Sequence, residues 1–120
     1  MTSPDTPSTS KVRALVRTLL QLHDFAGREE LLAQVEGVEY VDGPPTMMRL
    51  RVSSEFPASH DVRSPVPNHP VVVDDDGEVI GMMLLWLDDS GYIDCLEYGW
   101  VTDDVPTRLP EPNCVVKAKI

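Results

Sequence analysis

A nine-residue apolar run, Val79–Leu87, lies between two acidic segments that each end in glycine. These segments, Asp74–Gly77 and Asp88–Gly91, are typical of hairpin turns. They predict antiparallel partner strands on either side, Val71–Val73 before the run and Tyr92–Val101 after it. Because the run is apolar at nearly every position and not at alternate ones, we expect a central strand with both faces covered.

The N-terminal part of the chain has a helical period instead. Apolar residues at helical spacing predict a first helix over about residues 10–23, capped by Thr9 or Ser10. A second helix fits Arg28–Glu36 and ends at Gly37. From Val38 onward the pattern alternates, so the sequence predicts an α+β fold: an N-terminal helix pair packed on an antiparallel β-meander of about four to five strands.

A chain of 120 residues is long enough for one domain. Residues 1–10 are mostly Ser, Thr and Pro, so we expect a disordered tail there and a single α+β domain over residues 11–120. The proline-rich segment Ser54–Pro70 is expected to be a surface loop, of a length that is often functional or mobile.

Charge excludes several classes of function. The net charge is -10 and the sequence pI is about 4.5, which argues against binding a nucleic-acid phosphate backbone. No segment has the length of a membrane helix and no signal peptide is visible, so we expect a cytoplasmic protein. Residues 1–70 carry nine acids and seven bases, a charge of -2, whereas residues 71–120 carry eleven acids and three bases, a charge of -8. The C-terminal half therefore presents an acidic face.

The acidic turns do not match a calcium loop, and we expect neither a metal nor a cofactor. Counting back from the glycines puts Val72 and Trp86 at the first ligand position, and neither side chain has a ligand oxygen. The two cysteines, Cys95 and Cys114, are too few for a zinc site or a disulfide scaffold. Two reduced thiols are the favoured interpretation, and a single bridge is the alternative.

An enzyme that works through His60, Asp61 and Cys95 is a weaker hypothesis. The neighbouring carboxylates of Asp94 and Glu97 disfavour the thiolate of Cys95, the opposite of what a nucleophile needs. We therefore predict that the protein is not an enzyme.

The segment that follows the central run combines aromatic and acidic residues. Tyr98 and Trp100 stand two positions apart on one predicted strand face, which fits either a core aromatic pair or an exposed patch that grips a basic partner. The second alternative gives a set of candidate partner-binding residues: Asp88, Asp89, Glu97, Tyr98, Trp100, Asp103 and Asp104.

The same segment carries a resemblance. A Gly-Glu hairpin, an apolar strand, an Asp-rich turn and the run Leu-Glu-Tyr-Gly-Trp-Val-Thr-Asp-Asp-Val-Pro resemble the C-terminal half of small, acidic, uncharacterised bacterial proteins. The resemblance covers residues 77–112 and implies no known activity. Some small acidic proteins of this general kind act as immunity proteins against toxins.

We therefore expect a non-enzymatic binding protein, an immunity or antitoxin-type inhibitor that covers a basic protein surface. An acidic cap gains both electrostatic steering and complementarity against a basic cleft. The alternative is a nucleic-acid mimic or a small regulatory adaptor that binds a basic host protein. Either function predicts a basic protein partner, with no nucleic acid and no membrane as ligand.

Overall fold

The structure, a computed structural model, describes residues 7–118. Two helices, α1 (Thr9–Gln21) and α2 (Arg28–Gln34), precede a single antiparallel sheet. The α+β class is confirmed, although the sheet has six strands and not four or five. They are β1 (Glu39–Asp42), β2 (Met47–Arg51), β3 (Val71–Val73), β4 (Val79–Leu87), β5 (Ile93–Trp100) and β6 (Val115–Val116).

Helix α1 forms where the helical period predicts it, and the whole of its apolar stripe is buried. The N-cap, however, is Ser8 and not Thr9 or Ser10: its Oγ accepts a hydrogen bond from the backbone N–H of Lys11 at 3.2 Å. Pro7 is buried as well, and Thr9 and Ser10 lie in α1, so residues 7–10 of the predicted tail belong to the folded part. The prediction of disorder for residues 1–6 lies outside the described residues.

The sheet order is β1-β2-β5-β4-β3-β6. Strands β3, β4 and β5 are consecutive neighbours, as the two hairpin turns predict, and β2 pairs with the free edge of β5. The short apolar run near the C-terminus becomes β6 and pairs with β3. Strands β4 and β5 therefore occupy the centre of the sheet.

The helices cover one face of this sheet only. Leu85, Leu96 and Met48 are cross-strand neighbours on the face below the helices, and all three are buried. The opposite face stays open: the Met82 side chain is 40% exposed and that of Met47 is 46% exposed. The expectation that both faces of β4 are covered is therefore wrong, because two helices supply one layer and nothing among the described residues forms a second.

A register shift between Trp86 and Leu87 also changes which residues of β5 share a face of the sheet. Leu87 pairs with Ile93 whereas Trp86 pairs with Cys95, so Asp94 is the extra residue of a bulge. Ile93 consequently joins the buried face with Leu96, although strict alternation places these two residues on opposite faces.

The long segment between β2 and β3 has no helix or strand, as predicted, but it is tied to the sheet. The Val66 N–H donates to the Leu85 carbonyl at 2.8 Å, and the Leu87 N–H donates to Ser64 Oγ at 2.9 Å. The Ser59 backbone N–H also donates a hydrogen bond to the Gly91 carbonyl at 2.9 Å. The segment thus continues the hydrogen bonding along β4 beyond the first residue of β3, Val71, and contacts the β4–β5 turn.

Candidate functional site

The β3–β4 turn is closed by its first aspartate. The Asp74 N–H donates to the Glu78 carbonyl at 2.9 Å, and the Asp74 carbonyl accepts the Gly77 N–H at 3.0 Å. Asp74 Oδ1 accepts two further backbone N–H groups, those of Asp76 and Glu78, at 2.9 Å each. One of the three consecutive aspartates therefore stabilises the turn, as aspartates commonly do. The carboxylates of Asp75 and Asp76 have no such structural task.

The β4–β5 turn repeats this geometry. The Asp88 N–H donates to the Tyr92 carbonyl at 2.8 Å, and Asp88 Oδ1 accepts the N–H groups of Ser90 and Tyr92 at 2.9 and 3.0 Å. Gly91 has a φ of +88°, as Gly77 has one of +82°. Asp88 is thus a turn residue, and Asp89 is the surplus acid at this position.

Two of the acidic segments meet at one end of the sheet. Gly81 near the start of β4 pairs with Trp100 at the end of β5, so the Asp74–Glu78 turn lies beside the segment that follows β5. Between them is a groove of about 480 Å³. Its lining combines apolar residues of the sheet with polar and apolar residues of the C-terminal segment, among them Val72, Ile80, Tyr98, Val105, Pro106 and Cys114.

Carboxylates surround this groove. Asp74, Asp75, Asp104 and Glu111 contribute to its lining, and the last three are exposed. Arg108 lines the groove too. The ion pairs formed within residues 7–118 use acids between the end of α1 and the end of β1, namely Asp24, Glu29, Glu36, Glu39 and Asp42. None of the acids of residues 71–118 belongs to these pairs, and four carboxylates against Arg108 leave the groove lining with a net negative charge.

The candidate residues Asp88 and Asp89 lie elsewhere. They precede β5, whereas Asp103 and Asp104 follow it, and all four are exposed. An eight-residue strand separates the two pairs by about 24 Å at 3.4 Å per residue. The acidic half predicted as one face is therefore two acidic ends, and the groove belongs to the Asp103–Asp104 end.

The other three candidate residues do not act together. Tyr98 is 4% exposed, so the core alternative holds for it, and burial raises the pKa of its phenol. Trp100 lies at the end of the strand and is 38% exposed. Glu97 is half-buried and lies on the opposite face of the sheet from Tyr98. Tyr98 thus contributes to the groove floor, and Trp100 is the exposed aromatic residue of the two.

The surroundings of Cys95 disfavour its thiolate. Burial, together with Asp94 and Glu97, raises the pKa of Cys95 to about 11. Its Sγ lies 3.4 Å from Met47 Sδ, and among the hydrogen bonds within residues 7–118 none links Cys95 to His60 or Asp61. Cys95 and Cys114 are both free thiols, so they do not form a bridge with each other.

Across residues 7–118, no three side chains of His, Cys, Asp or Glu converge in a way that could hold a metal ion. The same residues include no helix with the length and apolar character needed to span a membrane.

Gln34 is a structural residue that the sequence analysis missed. It is fully buried, and its Nε2 donates to the carbonyls of Pro57 and Gly91 at 2.8 and 2.9 Å. Its Oε1 accepts the Ile93 N–H at 2.9 Å. The position lies at the end of α2 beside apolar residues, and only the helical phase set by Leu31 marks it as inward-facing.

The structure adds a second cavity near the first. It has a volume of about 330 Å³ and lies between the first turns of α1, at Ser10 and Lys11, and the C-terminal segment Arg108–Pro112. Part of that segment, including Pro110 and Glu111, lines both the cavity and the acidic groove. The C-terminal segment is therefore the wall between them.

Comparison with known proteins gives no match to any protein-family model, curated protein or solved structure. The resemblance of residues 77–112 to small acidic bacterial proteins stays a prediction.

Proposed function

We propose that the protein is a non-enzymatic binding protein of the immunity or antitoxin type, and that it covers a basic surface of a partner protein. The observation that carries the proposal is the groove beside the Asp74–Glu78 turn. It joins an apolar floor to a rim of carboxylates outside the internal ion pairs. Apolar contact area with charged groups around it is the usual composition of a protein interface.

Electrostatics supports a basic partner. Four carboxylates and one arginine line the groove, and this excess of acids creates a negative potential that accelerates association with a positively charged protein. Arginine and lysine side chains that enter the groove can pair with Asp75, Asp104 or Glu111 while their aliphatic parts contact the floor. The two free thiols accord with a cytoplasmic setting, which is part of the proposal.

Mimicry of a nucleic acid fits the arrangement of charges less well. Phosphates follow a nucleic-acid strand at regular intervals. The acids of the C-terminal half lie instead mainly at two ends of the sheet, about 24 Å apart, with an apolar sheet face between them. A partner that contacts the groove end with one compact group of basic residues agrees better with this distribution of acids.

The experiment compares two variants of equal net charge. Asp75→Asn with Asp104→Asn removes two rim charges, and Glu55→Gln with Asp61→Asn removes two charges from the exposed loop. Wild-type protein and both variants are immobilised and exposed to extract of the source cell at low and high salt. We expect a basic protein that wild type and the loop variant retain at low salt, and that the groove variant retains poorly.

Purified partner then gives the association rate by stopped flow across a salt series. The groove variant should associate several-fold more slowly and with a weaker salt dependence, since rim charges act mainly on the association rate. Equal association rates and salt slopes for all three proteins, or a retained partner that is not basic, would contradict the proposal.

A further inference from the structure

The uncovered face of the sheet presents a row of apolar side chains around one carboxylate. Met47, Glu97 and Leu84 are cross-strand neighbours on β2, β5 and β4. The next row holds Arg49, Cys95 and Trp86, and the row on the other side holds Val71, Met82 and Gly99. We call this surface the outer sheet face and define it by Met47, Met82, Leu84, Trp86, Cys95 and Glu97. None of these residues lines the acidic groove or the second cavity.

Glu97 has a single hydrogen bond within residues 7–118. Its Oε1 accepts the indole N–H of Trp86 at 3.0 Å, which fixes the carboxylate over the face. A carboxylate accepts several hydrogen bonds, so most of the acceptor capacity of Glu97 is unused.

The nearby cations are already engaged. Arg49 donates to both carboxylate oxygens of Asp42, from Nε at 2.8 Å and from Nη2. Arg51 donates to Glu39 at 2.7 Å. These contacts lower the pKa of the Glu39 and Asp42 carboxyl groups, in each case first through the hydrogen bond to arginine. Among the ion pairs formed by residues 7–118, Glu97 has none.

An occupant of this face has to neutralise Glu97. Covering the apolar side chains is favourable, but the same step removes water from the carboxylate, and an unpaired charge in a dry interface is costly. A second copy that docks by the same face offers only Arg49 there, and this arginine is paired with Asp42; each copy also carries -10, which opposes association. The complementary occupant is a different protein with a cationic side chain among apolar ones.

We propose that the outer sheet face is a second binding site, and that it takes a partner segment with one arginine or lysine flanked by apolar residues. The cation pairs with the free acceptor sites of Glu97, and the flanking residues contact Met47, Met82 and Leu84. The site is independent of the groove, so it goes beyond the proposed function.

A phage-displayed library of random 12-residue peptides provides the probe. Panning against wild-type protein should enrich sequences in which Arg or Lys stands between apolar residues. Trp86 then reports binding of a synthetic peptide by fluorescence, in a Trp100→Phe background that leaves it as the only tryptophan. The Glu97→Gln variant keeps an acceptor for the Trp86 N–H but loses the charge, and should weaken binding at least tenfold. Glu55→Gln, an exposed loop change of the same kind, should not weaken it.

A peptide with citrulline in place of arginine completes a double-mutant cycle. On wild type it should lose about as much affinity as Glu97→Gln does, and on Glu97→Gln it should lose little more, because each change removes the same pair. Met82→Gln should weaken both peptides alike.

Three results would overturn the site: no enriched sequence, enriched sequences without a cation, or additive losses in the cycle. Analytical ultracentrifugation provides a fourth test. A dimer of the wild type that Met82→Gln abolishes would assign the outer sheet face to a second copy, and would also overturn the proposed site. The proposed function is unaffected by each of these results, since it depends on Asp75 and Asp104.

Discussion

The two hairpin turns of the sheet have the same backbone and different surroundings. In each turn the first aspartate accepts two backbone N–H groups and a glycine adopts a positive φ. A Cβ added to Gly77 would meet no atom within 4 Å, whereas one added to Gly91 would lie 2.6 Å from the Ser59 carbonyl oxygen. The β3–β4 turn is therefore open to solvent, and the β4–β5 turn is packed against the long loop.

This difference divides the acidic half into an anchor and a free surface. Gln34 and Ser59 both bond to the Gly91 carbonyl, so the β4–β5 turn connects α2, the long loop and the sheet. The β3–β4 turn has no comparable contacts and lies beside the groove. Turns with equivalent sequences thus differ in their roles, because the role depends on what the rest of the chain packs against them.

The largest effect should come from Gln34→Ala, which removes the support of the packed turn. It leaves the buried Ile93 N–H without a partner and opens a cavity in the core, whereas the Gly91 carbonyl keeps the Ser59 N–H. One unsatisfied buried group costs about 1–3 kcal/mol and the lost packing adds to this, so we expect a loss of about 3 kcal/mol in the free energy of unfolding. Urea denaturation measures it.

Gln21→Ala is the matched control for that change. Gln21 is also the last residue of a helix but is exposed, so its replacement should change the free energy of unfolding by less than about 0.5 kcal/mol. A similar loss for both variants would show that the Gln34 contacts do not hold the turn.

The two glycines test the comparison directly. Gly77→Ala should cost about 1 kcal/mol, because only its positive φ opposes a side chain. Gly91→Ala should cost at least about 2 kcal/mol, because its Cβ also collides with the backbone of Ser59. Thermal unfolding of both variants gives the difference. Equal losses would show that the long loop yields easily and that the β4–β5 turn is not an anchor.

Local sequence was sufficient to predict both turns, the two helices and most of the sheet. Each depends on neighbouring residues: the stripe of α1, the Asp and Gly positions of the turns, and the alternation of Met48 and Leu50. The cap at Ser8 was missed by one position, because Ser8, Thr9 and Ser10 are all good N-caps.

The parts that could not be predicted depend on contacts between distant segments. A bulge at Asp94 shifts Ile93 to the core, and the sequence around it gives no sign of an extra residue. The apolar character of β4 does not distinguish a strand covered on both faces from one with an exposed face. The groove forms only where β3, β4 and the C-terminal segment come together. The acidic residues can be read from the sequence, but which of them line one groove cannot.

The next prediction concerns the first aspartate of each turn. Asp74→Ala and Asp88→Ala each remove two side-chain acceptors of backbone N–H groups, and we expect losses of about 1–2 kcal/mol that agree closely with each other. The hydrogen bonds are local and the same in both turns, so the surroundings should matter little here. Chemical denaturation of the two variants tests this equality. A loss at Asp88 several times that at Asp74 would mean that the packed turn depends on its aspartate more than the hydrogen bonds indicate.

The smallest effect should separate the surplus acids from the structural ones. Asp75 follows Asp74 and precedes two more acids, Asp76 and Glu78, whereas Asp89 has only Asp88 as an acidic neighbour in its turn. Neither surplus carboxylate bonds to its turn, so asparagine should be tolerated at both positions. Because like charges repel, Asp75→Asn should raise the melting temperature by up to about 2 °C at low salt, and Asp89→Asn should raise it less. The gain should disappear near 1 M salt, where the Debye length falls to about 3 Å. A lower melting temperature for Asp75→Asn, at either salt concentration, would instead make Asp75 part of the turn and leave less free charge beside the groove.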